Sequence, residues 1–175
     1  MRRYAVSLAL FLASIVFVAL AESPSYASLS ARSAFTLLER VPPGEYYPDA
    51  KNFLGSPSGE RVVDIDGGIK ITRWGVSSDT WIFEVLHDEE DVRATRITWR
   101  TRTRSDQQTI FSQLTTVGRQ FFGKSATFSG MNEAQWDDLG GRWIVRAKLE
   151  DDIERGVTLL SGIRDATMGT DRFGF

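Results

Sequence analysis

Four short segments rich in β-branched and aromatic residues follow one another between positions 60 and 101 of the chain. They are residues 60–65, 69–75, 80–87 and 92–101. Between them lie short sequences such as Asp66-Gly67-Gly68, whose residue types favour tight turns. Strands joined this closely run antiparallel, because a parallel crossover needs a dozen or more residues. The sequence therefore predicts a four-stranded antiparallel meander.

Two short helices are predicted before this meander. Ala34, Leu37 and Leu38 lie at helical spacing within residues 31–40, and the Pro-Pro-Gly that follows ends the helix. Residues 48–54 form the second helix, because a proline fits the first helical turn, where its missing N–H costs nothing.

A long amphipathic helix is predicted over residues 105–122, with Ser105 and Gln108 matching a capping box at its start. A shorter helix is predicted over residues 132–139, and a final hairpin from residues 142–149 and 156–164. Helices placed around antiparallel strands predict an α+β fold. We expect a two-layer sandwich, with the helices packed on one face of an antiparallel sheet.

The long helix ends in a sequence that matches the phosphate-binding loop pattern, Gly118-Arg-Gln-Phe-Phe-Gly123-Lys124-Ser125. A phosphate-binding loop follows a strand and opens a helix, whereas this pattern closes one. Gly123 is therefore interpreted as a C-capping glycine, and no nucleotide binding is predicted.

The composition excludes several classes of function. The chain has 175 residues, of which 42% are hydrophobic and 25% are charged, as in an ordinary globular protein. It has no cysteine, which excludes disulfides, thiol catalysis, zinc–thiolate sites and iron–sulfur clusters. A net charge of -2 argues against a nucleic-acid partner. We expect no cofactor.

The N-terminus has the features of a signal peptide. Arg2 and Arg3 precede an uncharged apolar run from Ala5 to Ala21, and Ala27 closes one of two small-x-small cleavage sequences. We expect residues 1–27 to be removed and residues 28–175 to form one domain that is periplasmic or secreted. The alternative is an uncleaved anchor helix, which would be the predicted attachment to a membrane.

One segment combines a glycine-led turn, a short helix and the sequence Leu-Gly-x-Pro: Val41-Pro-Pro-Gly44-Glu-Tyr-Tyr-Pro-Asp-Ala-Lys-Asn-Phe-Leu54-Gly55-Ser-Pro57. Together with the strands that follow, up to about residue 101, it resembles the SmpA/OmlA-like and β-lactamase-inhibitory-protein-like domains. The resemblance implies an extracytoplasmic protein-binding module, which is either a component of an envelope assembly or an enzyme inhibitor.

The candidate binding residues lie on predicted strands. Arg96, Arg100 and Arg102 share one parity along a strand and its extension, which predicts a basic stripe on one face of the sheet. Arginine forms bidentate contacts with carboxylates, so the stripe favours an acidic protein partner. The alternative is a solvated face balanced by nearby acids. Trp74 is the second candidate, because it shares its strand parity with polar rather than apolar neighbours.

The candidate for catalysis is His87, the single histidine, which precedes Asp88-Glu-Glu-Asp91. A histidine beside carboxylates can act as a general base, so the alternative function is a small extracytoplasmic hydrolase that uses His87 and Asp88. One histidine without cysteine cannot build the multi-imidazole sites typical of zinc, and no metal site is predicted. Four acids between two strands are typical of a solvated turn. The favoured function is an exported, non-enzymatic protein-binding module of the bacterial cell envelope.

Overall fold

The computed structural model describes residues 29–75, 80–139, 143–152 and 156–163, without the side chains of residues 138, 139, 143 and 163. The predicted signal peptide, residues 1–27, lies outside the described residues. Among the residues that are described, none of the helices is both long enough and apolar enough to cross a membrane.

Helices precede and separate two runs of four strands. The helices are α1 (Ala31–Arg40), α2 (Tyr47–Leu54) and α3 (Arg104–Phe122). The first run of strands is β1 (Gly59–Asp64), β2 (Ile69–Trp74), β3 (Trp81–His87) and β4 (Val92–Trp99). The second run is β5 (Thr127–Phe128), β6 (Glu133–Leu139), β7 (Trp143–Leu149) and β8 (Val157–Ile163).

All eight strands belong to one antiparallel sheet in the order β1-β2-β3-β4-β8-β7-β6-β5. The first run is the predicted meander, and the second run is joined to it by the central pair of β4 and β8. In this pair Ile97 lies opposite Leu159, and Arg96 lies opposite Leu160. The fold is therefore an α+β sandwich, as the sequence predicts.

The two faces of the sheet differ in what covers them. One face, here called the helix face, carries the main core, in which side chains such as Phe83, Ile97 and Val145 pack with buried residues of the three helices. The opposite face, here called the charged face, carries Glu84 and Arg96 on its central strands. A smaller apolar cluster around Ile71, Leu86 and Ala94 lies on the charged face and contains no described helical residue.

The helix predicted over residues 132–139 is wrong, because this segment is strand β6. Ala134 and Trp136 are both fully buried and lie on the helix face, opposite Ala147 and Val145 of β7. Their spacing of two residues fits a strand covered on one side, and three apolar residues in eight positions were too few to reveal it.

The start of α3 also differs from the predicted one. The capping box is formed by Thr103 and Asp106, not by Ser105 and Gln108: the Thr103 hydroxyl accepts from the Asp106 N–H, and the Asp106 carboxylate accepts from the Thr103 N–H, both at 3.1 Å. This register buries Gln107, whose side-chain amide donates to the carbonyl oxygen of Gly156 at 3.1 Å. At the other end Gly123 closes the helix with a left-handed φ of 68°, which confirms the predicted glycine cap.

Candidate functional site

The structure places the predicted binding residues on opposite faces of the sheet. Trp74 lies opposite Phe83, and Phe83 lies opposite Ile97, so all three belong to the helix face. Arg96 is the neighbour of Ile97 along β4 and therefore points to the charged face. Trp74 and Arg96 are not parts of one site.

Trp74 is held in the wall of a cavity beneath the helices. Its side chain is 7% exposed, and its indole N–H donates to the carbonyl oxygen of Gly55 at 3.1 Å. Its ring packs on Phe83, with 6.1 Å between the ring centroids. The polar neighbour that suggested an exposed face, Thr72, is itself fully buried and hydrogen-bonded. Sharing a strand face with Thr72 therefore did not mean that Trp74 is exposed.

At the centre of the charged face, the Glu84 carboxylate binds two arginines. One oxygen of this carboxylate accepts from Nε and Nη2 of Arg73 at 3.1 and 2.8 Å, and the other oxygen accepts from Nε and Nη2 of Arg96. Glu84 is 3% exposed. Burial alone would raise its pKa, but attraction and hydrogen bonds from Arg96 and Arg73 outweigh burial and hold the pKa below its ordinary value. Arg96 is therefore an ion-pair partner of a buried carboxylate.

Around Glu84 the charged face forms a depression of about 320 Å³. Its charged lining comprises four arginines and three acids: Arg61, Arg73, Arg96, Arg100, Glu84, Glu150 and Asp152. Two members of the predicted stripe, Arg96 and Arg100, lie here, whereas Arg102 is exposed and does not line the depression. Arg61 and Arg73 were not predicted from the sequence, because they reach the depression from β1 and β2 and not from the strand that carries the stripe.

The cations on the β1 side of the depression are open to solvent. Arg61 is exposed and forms no ion pair within the part of the chain that the structure describes. The Arg73 side chain is 46% exposed, although Glu84 binds it. Glu84 already holds two guanidinium groups, so this side of the depression keeps positive charge for an external acceptor.

His87 is 2% exposed and is enclosed by its neighbours. Nε2 lies 2.8 Å from the Thr72 hydroxyl, and Nδ1 lies 2.5 Å from the carbonyl oxygen of Asp88. The Tyr47 ring stacks on the imidazole with 3.4 Å between centroids. Burial lowers the pKa of His87. Because both nitrogens are engaged and one ring face is covered, this arrangement offers no nitrogen to a substrate.

The acids after His87 form a turn. The Asp88 carboxylate accepts from the backbone N–H groups of Glu90 and Asp91 at 2.9 and 2.7 Å, and it also pairs with Arg93. Burial raises the pKa of Asp88, but these N–H groups and Arg93 outweigh burial and lower the pKa below its ordinary value. The described residues contain no group of three or more histidine and acidic side chains suited to a metal ion.

No protein-family model, no curated protein and no solved structure matches the chain significantly.

Proposed function

We propose that the protein is a non-enzymatic, extracytoplasmic protein-binding module of the bacterial cell envelope, and that it binds an acidic protein partner through its charged face. The observation that carries the proposal is the depression around Glu84, where Arg61 and Arg73 expose positive charge on paired strands. The charged face has no helix packed on it within the described residues.

The anchoring of the arginines favours binding. A long side chain loses rotamer freedom when it contacts a partner, and this loss costs about 0.5–1.5 kcal/mol per side chain. Glu84 already fixes Nε and Nη2 of Arg73, so much of that entropy is lost before a partner arrives. Within the described residues, only Nε and Nη2 of the Arg73 guanidinium donate hydrogen bonds, so Nη1 has no partner there. A partner carboxylate therefore meets a preoriented donor beside the exposed Arg61.

Two features of the sequence support the envelope location and the absence of catalysis. The signal peptide predicted over residues 1–27 favours export. The resemblance of residues 41–101 to SmpA/OmlA-like and β-lactamase-inhibitory-protein-like domains favours an assembly component or an enzyme inhibitor. The enclosure of His87 by Thr72 and Tyr47 disfavours the alternative hydrolase.

The test compares charge reversals at two exposed arginines. A partner captured from envelope extracts is identified and purified, and its association with the protein is measured at several salt concentrations. We expect Arg61→Glu to weaken binding at least tenfold at low salt, because it places a like charge opposite an acidic partner. We expect Arg119→Glu, a matched charge reversal at an exposed position of α3, to bind the partner like the unaltered protein.

Electrostatic attraction of this kind also weakens as salt rises, since the screening length falls from about 10 Å at 0.1 M to about 3 Å at 1 M. Equal binding by both variants, or binding that does not depend on salt, would show that the charged face is not the docking surface. Failure to obtain any reproducible partner, together with turnover in a broad substrate screen, would overturn the proposed function itself.

A further inference from the structure

A cavity of about 740 Å³ lies on the other side of the sheet, where α1 and α2 meet the helix face. Its volume falls in the range of small-molecule sites, roughly 300–1,000 Å³. Its apolar wall is formed by Leu37, Phe53, Leu54, Trp74, Trp81 and Phe83. The cavity therefore presents a ligand-sized apolar surface that is separated from the charged face by the thickness of the sheet.

The wall of the cavity is preformed. Phe83 is 1% exposed, and Trp74 is fixed by its hydrogen bond to Gly55. Phe53 on α2, by contrast, is 56% exposed although it lines the same cavity. An aromatic side chain left in solvent beside an apolar wall marks a surface that gains free energy when an apolar group covers it.

Positive charge lies at the mouth of the cavity. Arg32 and Arg40 line it from α1, two turns apart, at a separation of about 12 Å along the helix axis. Both are exposed, and neither forms an ion pair within the described part of the chain. Ser33 and Thr36 lie between them, and the described lining contains no acidic side chain. The mouth is therefore complementary to an anion.

We propose that this cavity binds one molecule of an amphipathic anion, a long-chain carboxylate, independently of the protein partner proposed above. The apolar chain packs against Phe53, Leu54 and Trp74 inside the cavity. The carboxylate lies at the mouth, where Arg32 and Arg40 supply the positive charge.

Binding can be followed with two probes that share a twelve-carbon chain and differ in the sign of the head group. Dodecanoate and dodecyltrimethylammonium are titrated into the protein below their micelle concentrations, by calorimetry and by tryptophan emission. We expect dodecanoate to bind with a stoichiometry of one and to change the emission, because Trp74 and Trp81 line the cavity. We expect dodecyltrimethylammonium to bind at least tenfold more weakly.

Variants separate the head-group contact from the apolar contact. Arg32→Gln combined with Arg40→Gln should weaken dodecanoate at least tenfold and should bind dodecyltrimethylammonium no more weakly than the unaltered protein, because the cationic head group is no longer repelled. Arg119→Gln should change neither affinity. Thr36→Trp, at an exposed position beside the mouth, should obstruct the binding of both probes without changing the unfolding midpoint. Thr116→Trp, at an exposed position of α3, is the control and should not obstruct either probe.

Three results would overturn the inference. They are the absence of saturable binding by dodecanoate, equal affinity for the two probes, and undiminished binding of dodecanoate by the double arginine variant. Binding to vesicles of anionic lipid without binding of dodecanoate would assign the apolar wall to a membrane surface instead. None of these outcomes bears on the charged face, so this inference and the proposed function fail separately.

Discussion

Gly118 of α3 lies directly against the indole ring of Trp136 on β6, so close that a Cβ atom at position 118 would overlap the ring. Trp136 is fully buried, and its ring also packs edge-on against Phe35 of α1, with 5.6 Å between centroids. Glycine in the middle of a helix normally costs up to about 1 kcal/mol relative to alanine. Here it allows the long helix to approach the sheet.

The first prediction is that Gly118→Ala destabilises the protein, although alanine is the better helix former. Overpacking a rigid core costs about 1–3 kcal/mol, which exceeds the gain in helix propensity. Urea unfolding would measure the change. Thr116→Ala, an exposed site two residues away, should be neutral or slightly stabilising. A more stable Gly118→Ala variant would show that α3 does not approach Trp136 this closely.

The second prediction concerns Leu114, which is fully buried in the same helix. Leu114→Ala should lower the free energy of unfolding by about 2–5 kcal/mol, the range for emptying a buried leucine site. Gln120→Ala, on the exposed side of α3, should change it by no more than about 0.5 kcal/mol. The denaturant midpoint of the two variants would distinguish them, and an unchanged midpoint for Leu114→Ala would contradict the packing of α3 on the sheet.

The sequence predicted the elements whose periodicity is strong. The boundaries of α1, α2 and the four strands of the meander agree with the structure to within about two residues. Strand β6 was not predicted because only Ala134 and Trp136 show its alternating burial. The space for the Trp136 ring is provided by Gly118, which is distant in the sequence. The two-residue β5 has no hydrophobic pattern of its own and is defined by its pairing with β6.

The candidate sites depend on contacts between residues of different strands and helices, only some of which can be inferred from the sequence. The parity of Arg96 placed it on one face correctly, but its partner Glu84 lies on the neighbouring strand. The short turn after His87 sets the register between β3 and β4, so the pair of Glu84 and Arg96 could have been inferred from the hairpin. The role of Arg73 and the cavity beneath α1 and α2 could not have been inferred from the sequence, because both depend on tertiary packing.

The third prediction is that Glu84→Gln is strongly destabilising. The substitution removes the charge of the carboxylate that binds Arg96, whose side chain is 18% exposed, and breaking a buried ion pair in this way costs about 3–5 kcal/mol. The cost should fall at the lower end, because Arg73 is half-exposed and solvent screens its charge. Glu89→Gln, in the exposed turn, should change stability by no more than about 0.5 kcal/mol. Equal unfolding curves for these two variants would refute the structural role of Glu84.

The last prediction is that the protein loses stability as the pH falls below neutrality, and that His87 causes the first part of the loss. Groups that act on His87 come from four elements: Tyr47 on α2, Glu60 on β1, Lys70 on β2, and Asp88 in the turn after β3. The acids attract the proton and Lys70 opposes it, but burial is the largest effect and lowers the pKa below its ordinary value of 6.5.

The sign follows from proton linkage. Between its folded and unfolded pKa values, His87 binds more protons in the unfolded chain than in the folded one, so the free energy of unfolding falls as the pH falls. The contribution is therefore complete above pH 6.5 and is lost as the pH drops through the lowered pKa. Glu84 acts in the same direction in a more acidic range, below its ordinary value of 4.5.

A substitution at the single histidine tests the pH range in which His87 titrates. Phe at position 87 can keep the stack on Tyr47 but cannot titrate, so His87→Phe should flatten the dependence of unfolding free energy on pH as the pH falls below 6.5. Its overall stability should also be lower, because the Thr72 hydroxyl loses a partner. The readout is therefore the slope from urea unfolding at several pH values, which can reach about 1.4 kcal/mol per pH unit for one proton. Identical slopes for the variant and the unaltered protein would show that His87 is not held neutral by burial.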